Sequence, residues 1–474
     1  MTGLLLWREY RAHPTAKPAG APSPPSDTWM GIYTKSADGE RQIGFVHTES
    51  NPGVRGDGIK GTNLGLTVKL ATTMLSIPTE VTIAGSAWNP DDGGLSEFDF
   101  SIGSFDHTMR VKGTVSDEKL LIDVQTAGES FPAEFPVGKD LFLSGSMGTA
   151  ALNLPYLEVG DEILVDTFDP LTLSKGIARI ECVGTERLTI GGAAVSTRVL
   201  TSTLSGITTK VWVTGHDEVV RIETPFGFVL RKVTQAEALA GLDEGAGSQL
   251  FDMMAVHPSG KKPFRGAKRM EIQIAGLPAT VKIPYDEIQQ RLGANHVDIR
   301  SPAGPIPDAA PLADPGEYLR GDPFVQSGHP AIVKQAADVV GDSGEPWGKA
   351  LKIYEWVFAA VDKTIVLSLP SALEVLRTRQ GDCNEHTVLF AALARAAGVP
   401  TRIAIGVVWS DDMDGFYYHA WPEVHCGRWI PMDPTLEQPI ADATHIKLIE
   451  GSIESWPKLV PFLGQLKVEV VDIE

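Results

Sequence analysis

At 474 residues and 50.9 kDa, the chain is too long for one ordinary domain and fits two or three. Hydrophobic residues at 43% and charged residues at 21% sit near globular averages, which excludes a disordered, collagenous, coiled-coil or polytopic membrane chain. A net charge of −19 repels a phosphate backbone and argues against a nucleic-acid partner, and the three cysteines, Cys182, Cys383 and Cys426, make no disulfide framework or zinc ribbon.

The first expected element is a tail, residues 1–27. Leu4, Leu5, Leu6 and Trp7 are too few for a bilayer core that takes about 20 apolar residues. Arg8, Arg11 and a run containing Pro14, Pro18, Pro22, Pro24 and Pro25 follow, a pattern that a flexible tail shares with the trailing end of a membrane anchor.

From residue 28 to 236 the apolar side chains recur at every second position. Phe98, Phe100 and Ile102 alternate with Glu97, Asp99 and Ser101, and Met109, Val111 and Val115 alternate with Arg110, Lys112 and Thr114. Similar runs at 163–168, 178–183, 195–204, 207–214 and 219–224 predict one large, strongly curved antiparallel sheet or half-barrel with one wet face. Cys182 shares a strand face with Ala178 and Ile180 and reads as core. Residues 237–318 are expected to bridge onward through strands at 270–274, 279–283 and 296–299. They end in a linker with Pro302, Pro305, Pro307, Pro311 and Pro315, because proline lacks the backbone donor that a central strand or helix interior needs.

Past residue 319 the period becomes helical. A helix is expected near Pro330; a second, opened by Pro346, places Trp347, Ala350, Leu351, Tyr354, Val357, Phe358 and Val361 on one stripe. A third runs from about Cys383 to Ala397, closed by Gly398 and Pro400, and strands return at 402–409, 416–424 and 428–431. This half therefore reads as α+β, helices first and an antiparallel sheet after them.

The chemistry concentrates at Gly381-Asp382-Cys383-Asn384-Glu385-His386-Thr387, where a loop enters an amphipathic helix. The macrodipole and free N–H groups of a helix start favour the thiolate of Cys383. A cysteine nucleophile needs a base whose ring is held by a third group. His419, in mid-strand within Tyr417-Tyr418-His419-Ala420-Trp421-Pro422-Glu423-Val424, and Asp433, after the next strand in Arg428-Trp429-Ile430-Pro431-Met432-Asp433-Pro434-Thr435, are placed to supply both. His425 has the strand parity of His419 but lies six residues on, so Cys426 and His425 read as strand-end residues. Glu385 and His386 read as helix-capping groups, and Asp411-Asp412-Met413-Asp414-Gly415 as a hairpin turn, since it lacks the closing glutamate of a calcium loop.

Taken together and in order, GDCNEHTVLFAALARAAGVPTRIAIGVV, YYHAWPEV and GRWIPMDPT resemble the catalytic core of the transglutaminase-like superfamily, whose fold is related to papain. The resemblance covers residues 320–440. It implies an α+β multidomain chain with an antiparallel β domain ahead of a papain-like core at 319–474, and carries the nucleophile, base and orienting acid to Cys383, His419 and Asp433. The β region more loosely resembles an envelope-type domain of bacterial proteins. A periplasmic or otherwise extracytoplasmic enzyme, with or without a membrane anchor, is therefore expected, with a cytoplasmic one as the alternative.

The activity implied is acyl transfer on the amide bonds of a protein or peptide substrate through a thioester, without metal or cofactor. Hydrolysis is favoured over protein crosslinking by a transglutaminase. Backbone N–H groups at the helix start would hold the oxyanion, with Gln380 and Ser371 as nearby polar candidates for a second donor. A catalytically silent envelope scaffold is the rival from another class. No P-loop, GxGxxG turn, GxSxG or HExxH motif supports a kinase, dehydrogenase, serine hydrolase or zincin.

Overall fold

The computed structural model describes residues 25–474 apart from 37–38, 75–76, 92–93, 105–106, 127–128, 139, 145–155, 171–172, 205–206, 216–217, 225–226, 241–254, 278–281, 307–311, 365–370 and 452–463. The apolar stub at Leu4–Trp7 and the first proline-rich run up to Pro24 lie outside the described residues. Among those described, no helix is long and apolar enough to cross a membrane. The chain divides into two compact units, the first made of most residues up to Gln249 and the second of Leu250–Glu474 with two short pieces of the earlier chain.

The period-two pattern of the first unit becomes a 15-stranded sheet. Its strands are β1 (Ser26–Ser36), β2 (Gly39–Val54), β3 (Lys60–Met74), β4 (Ile77–Pro90), β5 (Glu97–Ser104), β6 (His107–Ser116), β7 (Lys119–Thr126), β8 (Glu129–Pro136), β9 (Phe142–Leu143), β10 (Glu162–Asp169), β11 (Ser174–Ile190), β12 (Ala193–Leu204), β13 (Ile207–Thr214), β14 (Val219–Glu223) and β15 (Phe228–Val233). Two meanders, β1 to β8 and β15 back to β10, join where β1 pairs antiparallel with β15, and β9 adds a parallel edge to β10. Alternation is visible in β7, where Leu120, Ile122 and Val124 are buried and Lys119 and Leu121 exposed.

The sheet curls on itself. Phe98 of β5 and Phe168 of β10 bring their rings to 5.9 Å although many strands separate them in the sheet order. One buried cluster draws Ile32, Val46 and Val68 from the first meander together with Ile163, Cys182, Val211 and Leu230 from the second. Cys182 is fully buried there, as its strand face predicts. The short helix α1 (Gln235–Ala240) follows β15.

The second unit holds a five-stranded sheet of β16 (Ser259–Gly260), β17 (Arg269–Ala275), β18 (Gln289–Arg291), β19 (His296–Arg300) and β26 (Lys467–Ile473), in the order β16-β26-β17-β19-β18. Two of the three strands expected between 237 and 318 are present. Of the third, 279–281 lie outside the described residues and Lys282 and Ile283 are not in a strand, while β18 forms further on. The segment is no simple bridge, because β17 pairs along its length with β26 at the very end of the chain.

The helices are α2 (Gly316–Leu319), α3 (Pro330–Val340), α4 (Pro346–Ala360), α5 (Ala372–Thr378) and α6 (Cys383–Ala396). The stripe of α4 buries Ala350, Ile353, Tyr354 and Val357. Helix α6 is the centre of this unit: every residue from Glu385 to Arg395 is buried, and it packs on α3, α4 and α5 as well as on two strands of a four-stranded sheet. That sheet runs β24-β23-β22-β25, with β22 (Thr401–Ser410), β23 (Gly415–His425), β24 (Trp429–Pro431) and β25 (Ile446–Gly451); the tiny parallel pair β20 (Asp362–Lys363) and β21 (Gln380–Gly381) leads into α6. Residues 411–414 turn the β22–β23 hairpin, as their composition predicts.

A buried ion-pair network ties this sheet together. Arg402 on β22 reaches Glu423 on β23 at 2.6 Å and Glu450 on β25 at 2.8 Å, and Lys447 on β25 reaches Glu423 at 3.0 Å. Asp286 joins both cations at 2.7 Å each. Burial alone would raise the Asp286 carboxyl, yet the charge of Lys447 and backbone N–H groups bring it down to about 2. Removing one charge strands the others in a water-poor interior, so Glu423→Ala is expected to cost about 3–5 kcal/mol, read as a lowered midpoint in urea unfolding. A loss under about 1 kcal/mol would mean that water reaches the network.

Candidate active site

Helix α6 begins where the chain can cap it from both directions. Asp382 accepts the Asn384 N–H at 2.9 Å, and Glu385 folds back to accept the Asp382 N–H at 2.9 Å, a complete capping box. Gly381 makes room for that fold, since a Cβ there would lie 2.1 Å from the Cβ of Glu385. Glu385 is thus the capping group that its position predicts. Burial and the neighbouring Asp382 push its carboxyl well above the ordinary range. His386 differs from the expectation: its Nδ1 sits 2.7 Å from the Asp382 carbonyl and its buried Nε2 has no hydrogen-bond partner among the described residues.

Cys383 is the first residue of α6 and is half-buried. Its sulfur faces the backbone N–H of Ala420 on β23, the residue after His419. The same strand residue is fastened to α6 a second time, because Thr387 Oγ1 donates to the Ala420 carbonyl at 3.0 Å. Helix position alone predicts a thiolate; the structure reverses that direction. Burial, then the charges of Asp382, Glu385 and Asp433, push the thiol well above the ordinary cysteine value against the single lowering influence of the Ala420 N–H. A macrodipole worth about 0.3–1 kcal/mol does not offset a desolvated sulfur ringed by carboxyls. Cys383 therefore rests as a thiol.

His419 Nε2 lies 2.7 Å from Asp433 Oδ2, and both residues are buried. The carboxylate is itself fixed: Oδ1 accepts the N–H groups of Thr435 and Leu436 at 2.8 and 2.9 Å, and the Asp433 backbone bridges to Gln438. Burial alone would raise this acid, but the rings of His419 and His445 outweigh it and hold Asp433 well below the usual carboxylate range. With Nε2 committed to Asp433, Nδ1 is the ring nitrogen left to exchange a proton with a thiol.

His445 escaped the sequence reading. It stands just before β25, with Nε2 3.1 Å from the same Asp433 Oδ2 and Nδ1 3.3 Å from Asp442 Oδ1. Trp421 packs beside both histidines, its ring 5.1 Å from His445 and 6.2 Å from His419. Gly406 explains how β25 comes so near. It pairs with His419 across β22–β23 and with Lys447 across β22–β25, and a Cβ at Gly406 would lie 1.9 Å from the Ile446 carbonyl.

The other candidates fall elsewhere. His425 packs its ring on Trp429 at 5.2 Å, and the Cys426 thiol, buried, is pushed up to about 12. Ser371 is buried against Gln326 Nε2 at 3.2 Å, and Gln380 is exposed on β21. Among the described residues, two groups of ligand-type side chains have donor atoms within 4.8 Å of one another: His419, Asp433 and His445, and Asp286, Glu423 and Glu450. The first is joined by its own hydrogen bonds and the second encloses Arg402 and Lys447, so neither calls for an ion.

Residues 333–434 match the family model of the transglutaminase-like superfamily. No curated protein matches the chain. Among solved structures, a "Putative Cysteine Protease" from Cytophaga hutchinsonii is 16% identical, with 46% of this chain and 85% of that one covered and a TM-score of 0.28. A "Beta-barrel-like Protein of Domain of Unknown Function" from Brucella abortus is 10% identical over 44% of this chain and 94% of that one, TM-score 0.31. A "Putative Protease" from Parabacteroides distasonis is 10% identical over 84% and 70%, TM-score 0.20.

Proposed function

We propose that the chain is a cysteine acyl-transfer enzyme that opens amide bonds in a protein or peptide substrate, using a papain-like arrangement of α6 against β23. The observation that carries this reading is the buried His419–Asp433 pair at 2.7 Å on the strand whose next N–H, that of Ala420, faces the Cys383 sulfur. Cys383 Sγ attacks the carbonyl carbon as its proton passes to His419 Nδ1, Asp433 stabilising the imidazolium through Nε2. Backbone N–H groups at the start of α6, that of Cys383 included, stabilise the oxyanion. Collapse breaks the C–N bond, the amine leaves with the proton from His419, and a thioester remains on Cys383. Water, deprotonated by His419, then adds to the thioester; the acid departs and the thiol is restored.

A thioester has two fates, and products distinguish them. With a denatured protein as substrate, the hydrolytic reading expects new N-termini and no lysine crosslinks, all lost in Cys383→Ala. Isopeptide-linked products with no cleavage would replace it by the transglutaminase reading.

A further inference from the structure

We propose that His445 is a positioning residue, a buried imidazolium clamped between Asp433 and Asp442 that pins the Asp433 carboxylate and through it the ring of His419. The proposal rests on the acyl-transfer reading above and extends it by one residue that the three sequence motifs do not contain.

A neutral imidazole donates from one nitrogen and accepts at the other. Among the described residues both nitrogens of His445 face acceptors alone: Nε2 meets Asp433 Oδ2 at 3.1 Å, and Nδ1 meets the Asp442 carbonyl at 3.2 Å and Asp442 Oδ1 at 3.3 Å. Two hydrogen bonds therefore require two protons and a positive ring. Asp442 is kept an anion by its own surroundings, since it accepts N–H groups from Gly266 and Thr444 at 2.8 and 2.9 Å and pairs with Arg265 at 3.2 Å. Burial lowers the basicity of His445, and the two carboxylates more than reverse it, to about 9.

One consequence reaches the reaction. Asp433 Oδ2 is shared by both histidines, whose rings are 6.0 Å apart, so the oxygen that orients His419 is held from a second side. The other titratable groups about the pair are Arg265 behind Asp442, Cys383, Asp382, Glu385 and His386 from the start of α6, Lys363 from β20, and Tyr354 and Glu437, which share the field of Asp433. Among these, His445 is the cation in direct contact with the carboxylate that His419 uses.

The test uses the full chain and needs no substrate. Iodoacetamide alkylation of Cys383, located by peptide mass spectrometry, is followed at neutral pH; its rate reports how well His419 is placed to take the thiol proton. In His445→Gln the rate is expected to fall about tenfold, and in His445→Lys, which keeps the charge beside Asp433, to stay within about twofold of wild type. In parallel, NMR of ring-labelled histidine should show one ring that stays doubly protonated from pH 5 to 8 and disappears in His445→Gln. An unchanged rate in His445→Gln, a His445→Lys rate that falls as far as that of His445→Gln, or a His445 ring that titrates within this window overturns the proposal. If His445→Gln does not fold, the wild-type spectrum and Asp442→Asn decide, since losing that anion should let the ring shed a proton below pH 8. Turnover in Cys383→Ala is scored separately: an active variant sinks the acyl-transfer reading, whereas an inactive one with an unchanged alkylation rate in His445→Gln sinks only the role of His445.

Discussion

Cys383→Ala is expected to abolish turnover, by at least about 10⁴-fold in kcat, while circular dichroism and the unfolding midpoint stay close to wild type. The fold should survive because the residue is half-buried at the first position of α6, where alanine is a good helix former and the Asp382–Glu385 cap is untouched. Cys182→Ala and Cys426→Ala should keep their activity. The first lies in the sheet core of the other unit, so its loss is one of stability, and the second is a buried thiol held at about 12. Turnover retained without Cys383 would remove the nucleophile from the mechanism.

Replacing the proposed base should be the next largest loss. His419→Ala should lower kcat/KM by on the order of 10³-fold or more, about 4 kcal/mol of transition-state stabilisation. Without it, the raised Cys383 thiol has no acceptor for its proton. Asp433→Asn should cost somewhat less, because an amide can still contact Nε2 but cannot stabilise the imidazolium. His425→Ala should cost almost nothing, since that ring packs on Trp429 six residues further along the strand. Adding His419→Ala to Cys383→Ala should bring little further loss, as groups that act as one unit are not additive. A damaging His425→Ala beside a silent His419→Ala would mean that the base is not on the face where β23 carries it.

Local pattern foretold much of this arrangement. The helix from Cys383 and the strands through His419 and ahead of Asp433 fall within a residue or two of their expected places, because each rests on a cap, a breaker or a run of alternating side chains. What escaped depends on distant pairings. The chain end returns to β17, and Phe98 meets Phe168 only because fifteen strands curl, neither of which a local period encodes. His445 stands in no motif with Cys383; it arrives through the register of β25 on β22 and the missing side chain of Gly406. The direction of the Cys383 shift is hidden from the sequence for a similar reason. A helix start is visible in one dimension, whereas burial and the approach of Asp433 exist only once β23 and the chain after β24 are packed against α6.

The central claim is that Cys383 carries the acyl group, and the most direct measurement is to catch it there. The full chain is exposed to p-nitrophenyl acetate, quenched in acid and weighed intact, with the modified peptide located by tandem mass spectrometry. The account predicts a single acetyl group on Cys383, released by neutral hydroxylamine as a thioester is, absent from Cys383→Ala and strongly slowed in His419→Ala. Ester cleavage that proceeds with no acetyl on Cys383, or an acetyl spread over lysines and equally present in Cys383→Ala, would contradict it.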